Sequence, residues 1–65
     1  MQFHIENMTC GACVRRVTAA VHSIDPAAQV TADVGEHRVQ VQSAGTQEQL
    51  MAVLDEAGYP ARPVG

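Results

Sequence analysis

The chain is 65 residues long with a net charge of −3, its four arginines standing against seven Asp and Glu without a single lysine. A chain this short has room for one core and buries only about 60% of the surface it exposes when unfolded. The acidic balance excludes the basic stripe of a nucleic-acid binder and the polybasic patch of a protein held on an anionic membrane, and no apolar run is long enough for a signal-peptide core or a membrane span.

With one Phe, one Tyr and no Trp, the core must come from Val, Leu, Ile and Ala. In residues 2–6, Phe3 and Ile5 alternate with Gln2, His4 and Glu6, the pattern of a half-buried strand. Val14, Val17, Val21 and Ile24 then recur at three- and four-residue steps, flanked by Cys13 and Ala20. That spacing predicts an amphipathic helix of about three turns, which Asp25-Pro26 ends because a residue before proline leaves the helical region. Val30, Ala32 and Val34, then Val39 and Val41, alternate with polar residues around Gly35-Glu36, which reads as a hairpin. Thr46 with Gln49 is a capping-box signature for a second helix. Its apolar stripe is Leu50, Val53, Leu54 and Ala57, with Gly58 placed to stop it. Residues 60–64 supply a last short strand, confined to a sheet edge by Pro63.

The order is β-α-β-β-α-β. Each clear strand has one apolar face, so both helices cover one side of the sheet and water meets the other. Right-handed crossovers then give an α+β, ferredoxin-like sandwich: a four-stranded antiparallel sheet with the hairpin's second strand inside it. Residues 1–65 are expected to form a single domain. Met1 close before the first strand, and the chain's end soon after the last, lead us to expect a free-standing protein, and the lack of a signal-peptide core or spanning run leads us to expect a cytoplasmic one.

Chemistry concentrates in one stretch, Asn7-Met8-Thr9-Cys10-Gly11-Ala12-Cys13, between the first strand and the first helix. It holds both cysteines, spaced C-x-x-C, so two sulfurs can converge on one soft metal ion or close as a disulfide. Gly11 is expected to ease a tight turn. Cys13 should fall in the first helical turn, where unpaired N–H groups and the helix dipole favour a thiolate. A structural disulfide is disfavoured, because it would close almost no loop and a reducing cytosol keeps the thiols free.

Met8-Thr9-Cys10-Gly11-Ala12-Cys13 after a short strand resembles the heavy-metal-associated domain, the family of bacterial copper chaperones and of the soluble metal-binding domains of heavy-metal P-type ATPases. The likeness extends over nearly the whole chain. It implies a cytosolic copper(I) chaperone that binds one ion on Cys10 and Cys13 and passes it by ligand exchange to a copper-transporting P-type ATPase, without catalysing a reaction. Zinc-handling relatives often place an acidic residue where this chain has Thr9, which shifts weight from zinc(II) to copper(I). Mercury(II) also accepts a linear dithiolate, though its relatives are usually exported.

Met8 resembles the residue that tucks under the loop, and packing is favoured over ligation for it. Tyr59 resembles a tyrosine near the metal site of bacterial copper chaperones. It either shields or hydrogen-bonds a thiolate, or plugs the end of a small core. Arg15 and Arg16 would lower thiolate pKa, offset the charge of a copper–dithiolate unit and meet acidic groups on a partner; a solvated helix face explains Arg15 as well. His4, His22 and His37 read as surface residues. The chain is expected to be a monomer without metal, and a metal-bridged dimer or passive copper buffer is an alternative. So are a metal-binding domain cut from an ATPase and a thiol–disulfide oxidoreductase, although the segment order is wrong for a thioredoxin fold.

Overall fold

The computed structural model describes residues 1–64. Its elements are β1 (Gln2–Ile5), α1 (Gly11–Ile24), β2 (Gln29–Asp33), β3 (Arg38–Gln42), α2 (Gln47–Glu56) and β4 (Ala61–Val64). The sheet runs β2-β3-β1-β4, and every neighbouring pair is antiparallel. This is the ferredoxin-like arrangement expected from the alternation, with β3 interior and β4 at an edge where Pro63 loses no interior hydrogen bond.

Register places apolar residues together on one face. Phe3 lies opposite Val39, Val30 opposite Val41, and Ile5 opposite Ala61. Val17 and Val21 of α1 and Leu50 and Leu54 of α2 close over them, giving one continuous core that also holds Met8 and Tyr59. On the other face Gln2, Thr31, Arg38, Gln40 and Arg62 are exposed, because side chains one residue apart on a strand point opposite ways.

Several local details differ from the periodicity reading. The first helix has 14 residues, nearly four turns. Ile24 fits the stripe by spacing yet is 44% exposed, because it is the helix's last residue, where the stripe runs past the core. Ala57 is likewise exposed as the C-cap of α2, and Met51 is half-buried on the flank instead. The hairpin turn spans residues 34–37, and its left-handed residue is His37 (φ 55°), not Gly35. Its geometry is held by Asp33 Oδ1 accepting from the Glu36 amide (3.1 Å) and by the His37 carbonyl accepting from the Ile5 amide (2.7 Å).

Thr46 and Gln49 form the full capping box at the start of α2. At its end Gly58 turns left-handed (φ 90°), the Tyr59 amide donates to Leu54 O (2.9 Å) and the Gly58 amide to Asp55 O (3.0 Å). This pair of bonds is a Schellman motif, which reverses the chain so that the residue after the glycine folds back on the helix. Tyr59 therefore enters the core at the end of the sheet where β1 finishes.

Candidate metal centre

The β1–α1 loop leaves the sheet through a turn in which the Met8 amide donates to Ile5 O (3.2 Å). Met8 then buries completely in the core, as its packing reading required, and anchors the loop from beneath. Thr9, Cys10, Gly11 and Ala12 are exposed above it, and Cys13 is half-buried. Asn7 Nδ2 donates to Gly58 O (3.3 Å), tying this loop to the one that carries Tyr59. That tie joins two turns distant in sequence, and no motif announces it.

Cys10 is the N-cap of α1, and its carbonyl accepts from the Val14 amide (3.2 Å). Its side chain makes no capping bond, which leaves the sulfur available. Cys13 is the third residue of the helix, and the two sulfurs lie 3.3 Å apart. Both cysteines are free, and the separation is far beyond the roughly 2.05 Å of a disulfide. Gly11 begins the helix without a left-handed φ, and a Cβ there would meet nothing within 4 Å. The tight-turn role expected of this glycine is therefore absent.

Cys13 is pulled down from an ordinary value of 9.0 to about 6, first by the Tyr59 side chain, then by the Thr9 backbone and by the Cys10 thiol. Tyr59 is only 6% exposed and fills the end of the core, and the same side chain is the largest cause of the lowered Cys13 value, so the two readings of it are compatible. Arg16 is held above its usual value, first by the Tyr59 side chain, then by the charges of Tyr59 and Cys13. The structure thus separates two arginines that the sequence presents as a pair. Both are exposed on α1, but Arg16 stands one helical turn after Cys13 and feels Tyr59 and Cys13.

The histidines are engaged elsewhere. His22 is exposed and bonds Ala28 O (2.9 Å), and His4 is half-buried, pairing with Glu6 (2.7 Å) beside the His37 ring. Among the described residues no cluster of three or more His, Cys, Asp or Glu is placed to hold a metal. The centre is thus a pair of soft donors, one exposed and one half-buried. Thiolates of this kind suit a soft, low-coordinate cation, whereas tetrahedral zinc would need two further ligands.

The heavy-metal-associated domain model matches residues 2–60. The chain belongs to that family. This heavy-metal-associated domain is 33% identical to the copper-transporting ATPase 1 of Rhizobium meliloti (strain 1021) over 64 residues, which cover 95% of the chain and 8% of the ATPase. It therefore spans less than a tenth of the length of the curated relatives it matches. Among solved structures, a gold binding protein aligns with a TM-score of 0.92 at 40% identity, covering 95% of each chain. The copper chaperone Atx1 from Synechocystis PCC6803, in a trimeric form, aligns with a TM-score of 0.93 at 34% identity, covering 95% of this domain and 98% of that chain. No helix among the described residues is long and apolar enough to cross a membrane.

Proposed function

We propose that this domain is a cytoplasmic copper(I) carrier whose ligands are Cys10 and Cys13. The observation that carries the reading is the convergence of two free sulfurs 3.3 Å apart at the start of α1, one of them exposed. Copper(I) accepts two thiolates and leaves room for a third. An incoming cysteine can then bind before one of the resident pair departs, so the ion passes on without entering water. Met8 fixes the loop to the core, while Thr9 and Gly11 leave its outer side uncrowded for an approaching partner. Arg15 and Arg16 flank that side and suit an acidic docking surface. The recipient is the soluble metal-binding domain of a copper-transporting P-type ATPase, and the likeness to two such ATPases supports it.

Nothing in this chemistry transforms a substrate, so the domain is not an enzyme. Residues 1–65 act as one metal-carrying unit, and the same ligand set would serve inside a longer transporter. The likeness to a gold binding protein supports a second cargo, gold(I), which shares copper(I)'s charge and its preference for sulfur. Anaerobic titration of copper(I) against a competing chelator tests the proposal. One equivalent should bind tightly, and Cys10→Ser should abolish uptake. Retention of full affinity by Cys10→Ser would overturn this ligand assignment, and sustained insulin reduction by the metal-free protein would instead favour thiol–disulfide chemistry.

A further inference from the structure

Away from the thiol pair, two of the three histidines meet at the end of the sheet where β1 finishes. His4 lies on the open face with Gln2, because side chains two apart on a strand point the same way. His37 arrives there differently. The Ile5 amide donates to His37 O (2.7 Å), one step beyond the His4–Arg38 pair, which sets His37 opposite Ile5. Opposed residues in an antiparallel ladder share a face, and Ile5 faces the core. His37 instead has a left-handed backbone (φ 55°), and its ring lies beside that of His4, with centroids 5.9 Å apart and planes at 47°. Glycine takes that angle freely and Gly35 stands in the same turn, yet the position belongs to an imidazole. Strained backbone of this kind clusters at ligand-binding positions.

Hydrogen bonding leaves a ligating nitrogen on each ring. His4 Nε2 lies 2.7 Å from Glu6 Oε2. A carboxylate only accepts, so Nε2 carries the proton and Nδ1 of the neutral ring keeps its lone pair. A histidine that binds metal through one nitrogen commonly gives the other to a carboxylate, as His4 does to Glu6. His37 Nδ1 is buried with no hydrogen-bond partner among the described residues, an orphan of the sort that a bound ion satisfies. Two imidazoles on one ion, at metal–nitrogen distances of about 2.0–2.1 Å, set ring centroids roughly 5–6.5 Å apart. The observed separation falls inside that range.

We propose that His4 and His37 form a second metal site, separate from the thiol pair, for a borderline divalent ion such as copper(II). Imidazole suits such ions, and among them copper(II) binds most tightly. The site goes beyond the carrier reading and does not rest on it. Among the described residues no set of three His, Cys, Asp or Glu is placed for one ion. Glu6 therefore orients His4, and water fills the remaining positions. Arg38 and Arg62, the cross-strand neighbours of His4, oppose the added charge, and Glu6 offsets one of them. Two protein ligands beside two guanidinium groups make a weak, exchangeable site.

Copper(II) oxidises thiols, so the test uses protein carrying Cys10→Ser and Cys13→Ser, checked for folding by thermal unfolding. Should that variant not fold, wild-type protein with both thiols alkylated takes its place. Titration with copper(II), followed by nitrogen hyperfine structure in electron paramagnetic resonance, should show one saturable ion with two nitrogen ligands. His4→Gln and His37→Asn should each abolish it. Asparagine accepts a left-handed backbone, so the second variant keeps the turn. Glu6→Ala should weaken binding about tenfold, Arg62→Gln should strengthen it, and His22→Gln should leave it unchanged. Absence of saturable copper(II) overturns the inference. So does binding that survives His37→Asn, as chelation by the N-terminal amine with His4 alone would.

Discussion

Tyr59 and Cys13 show how one contact sets the chemistry of a thiol. With its value held near 6, Cys13 is mostly thiolate at neutral pH, and the Tyr59 side chain is the largest cause. In Tyr59→Phe the metal-free protein should titrate with a midpoint shifted up toward 9, followed by thiolate absorbance. A wild-type titration with no step near 6 would contradict this. The folded value lies below the unfolded one, so the unfolded chain binds more protons between about 6 and 9. The contribution of this thiol to stability is therefore complete above that window and is lost as pH falls through about 6. Asp25 obeys the same sign lower on the scale. Its carboxylate accepts from the Ser43 hydroxyl (2.7 Å), the Ala44 amide (3.1 Å) and the Ala27 amide (3.1 Å), binding the end of α1 to the β3–α2 loop. The Ser43 bond first, then the Ala44 amide, holds it below its ordinary 3.8. Asp25→Asn should melt below wild type at neutral pH, and the two melting curves should converge as acid protonates Asp25. A gap that persists undiminished at pH 2 would rule out the charge as its source.

The helices depend on end chemistry that is partly visible in the residues. Thr46 and Gln49 were legible as a capping box because both partners are local, and the structure forms both bonds. Thr46→Ala should cost about 1 kcal/mol. Gly58 was legible as a stop for the same reason, and its φ of 90° explains why a glycine stands there. Gly58→Ala meets no atom within 4 Å, so the cost is conformational alone. It should be about 1–2 kcal/mol, a fall in Tm of roughly 4–8 °C per kcal/mol in a domain this small, measured by thermal unfolding. By contrast Gly11→Ala has open space and no left-handed backbone, and should change stability by less than about 0.5 kcal/mol while copper uptake persists. What periodicity could not reveal is where a stripe runs off the core, as at Ile24, or which turn residue takes the strained angle, as at His37. Those outcomes depend on neighbours distant in sequence. The same holds at the site: C-x-x-C spacing announced the sulfurs, but the Asn7–Gly58 tie arises only when two loops meet.

At the scale of the molecule, a small core must both keep the fold and hold the loop. At roughly 0.05–0.15 kcal/mol per residue, a domain of this size has a total stability of about 3–10 kcal/mol. Met8 is fully buried in the one continuous core, so its thioether belongs to the packing that this margin depends on. Met8→Ala should cost about 2–5 kcal/mol, a large share of the total, and copper uptake should fall with the folded fraction. Met8→Leu conserves volume and should cost under about 1.5 kcal/mol. The pair separates packing from ligation. If Met8 serves only to seat the loop, Met8→Leu remains folded and binds one copper(I) with wild-type affinity in chelator competition. Should Met8→Leu fold normally yet lose affinity, the thioether must leave the core to reach the ion, and the loop would have to rearrange on loading.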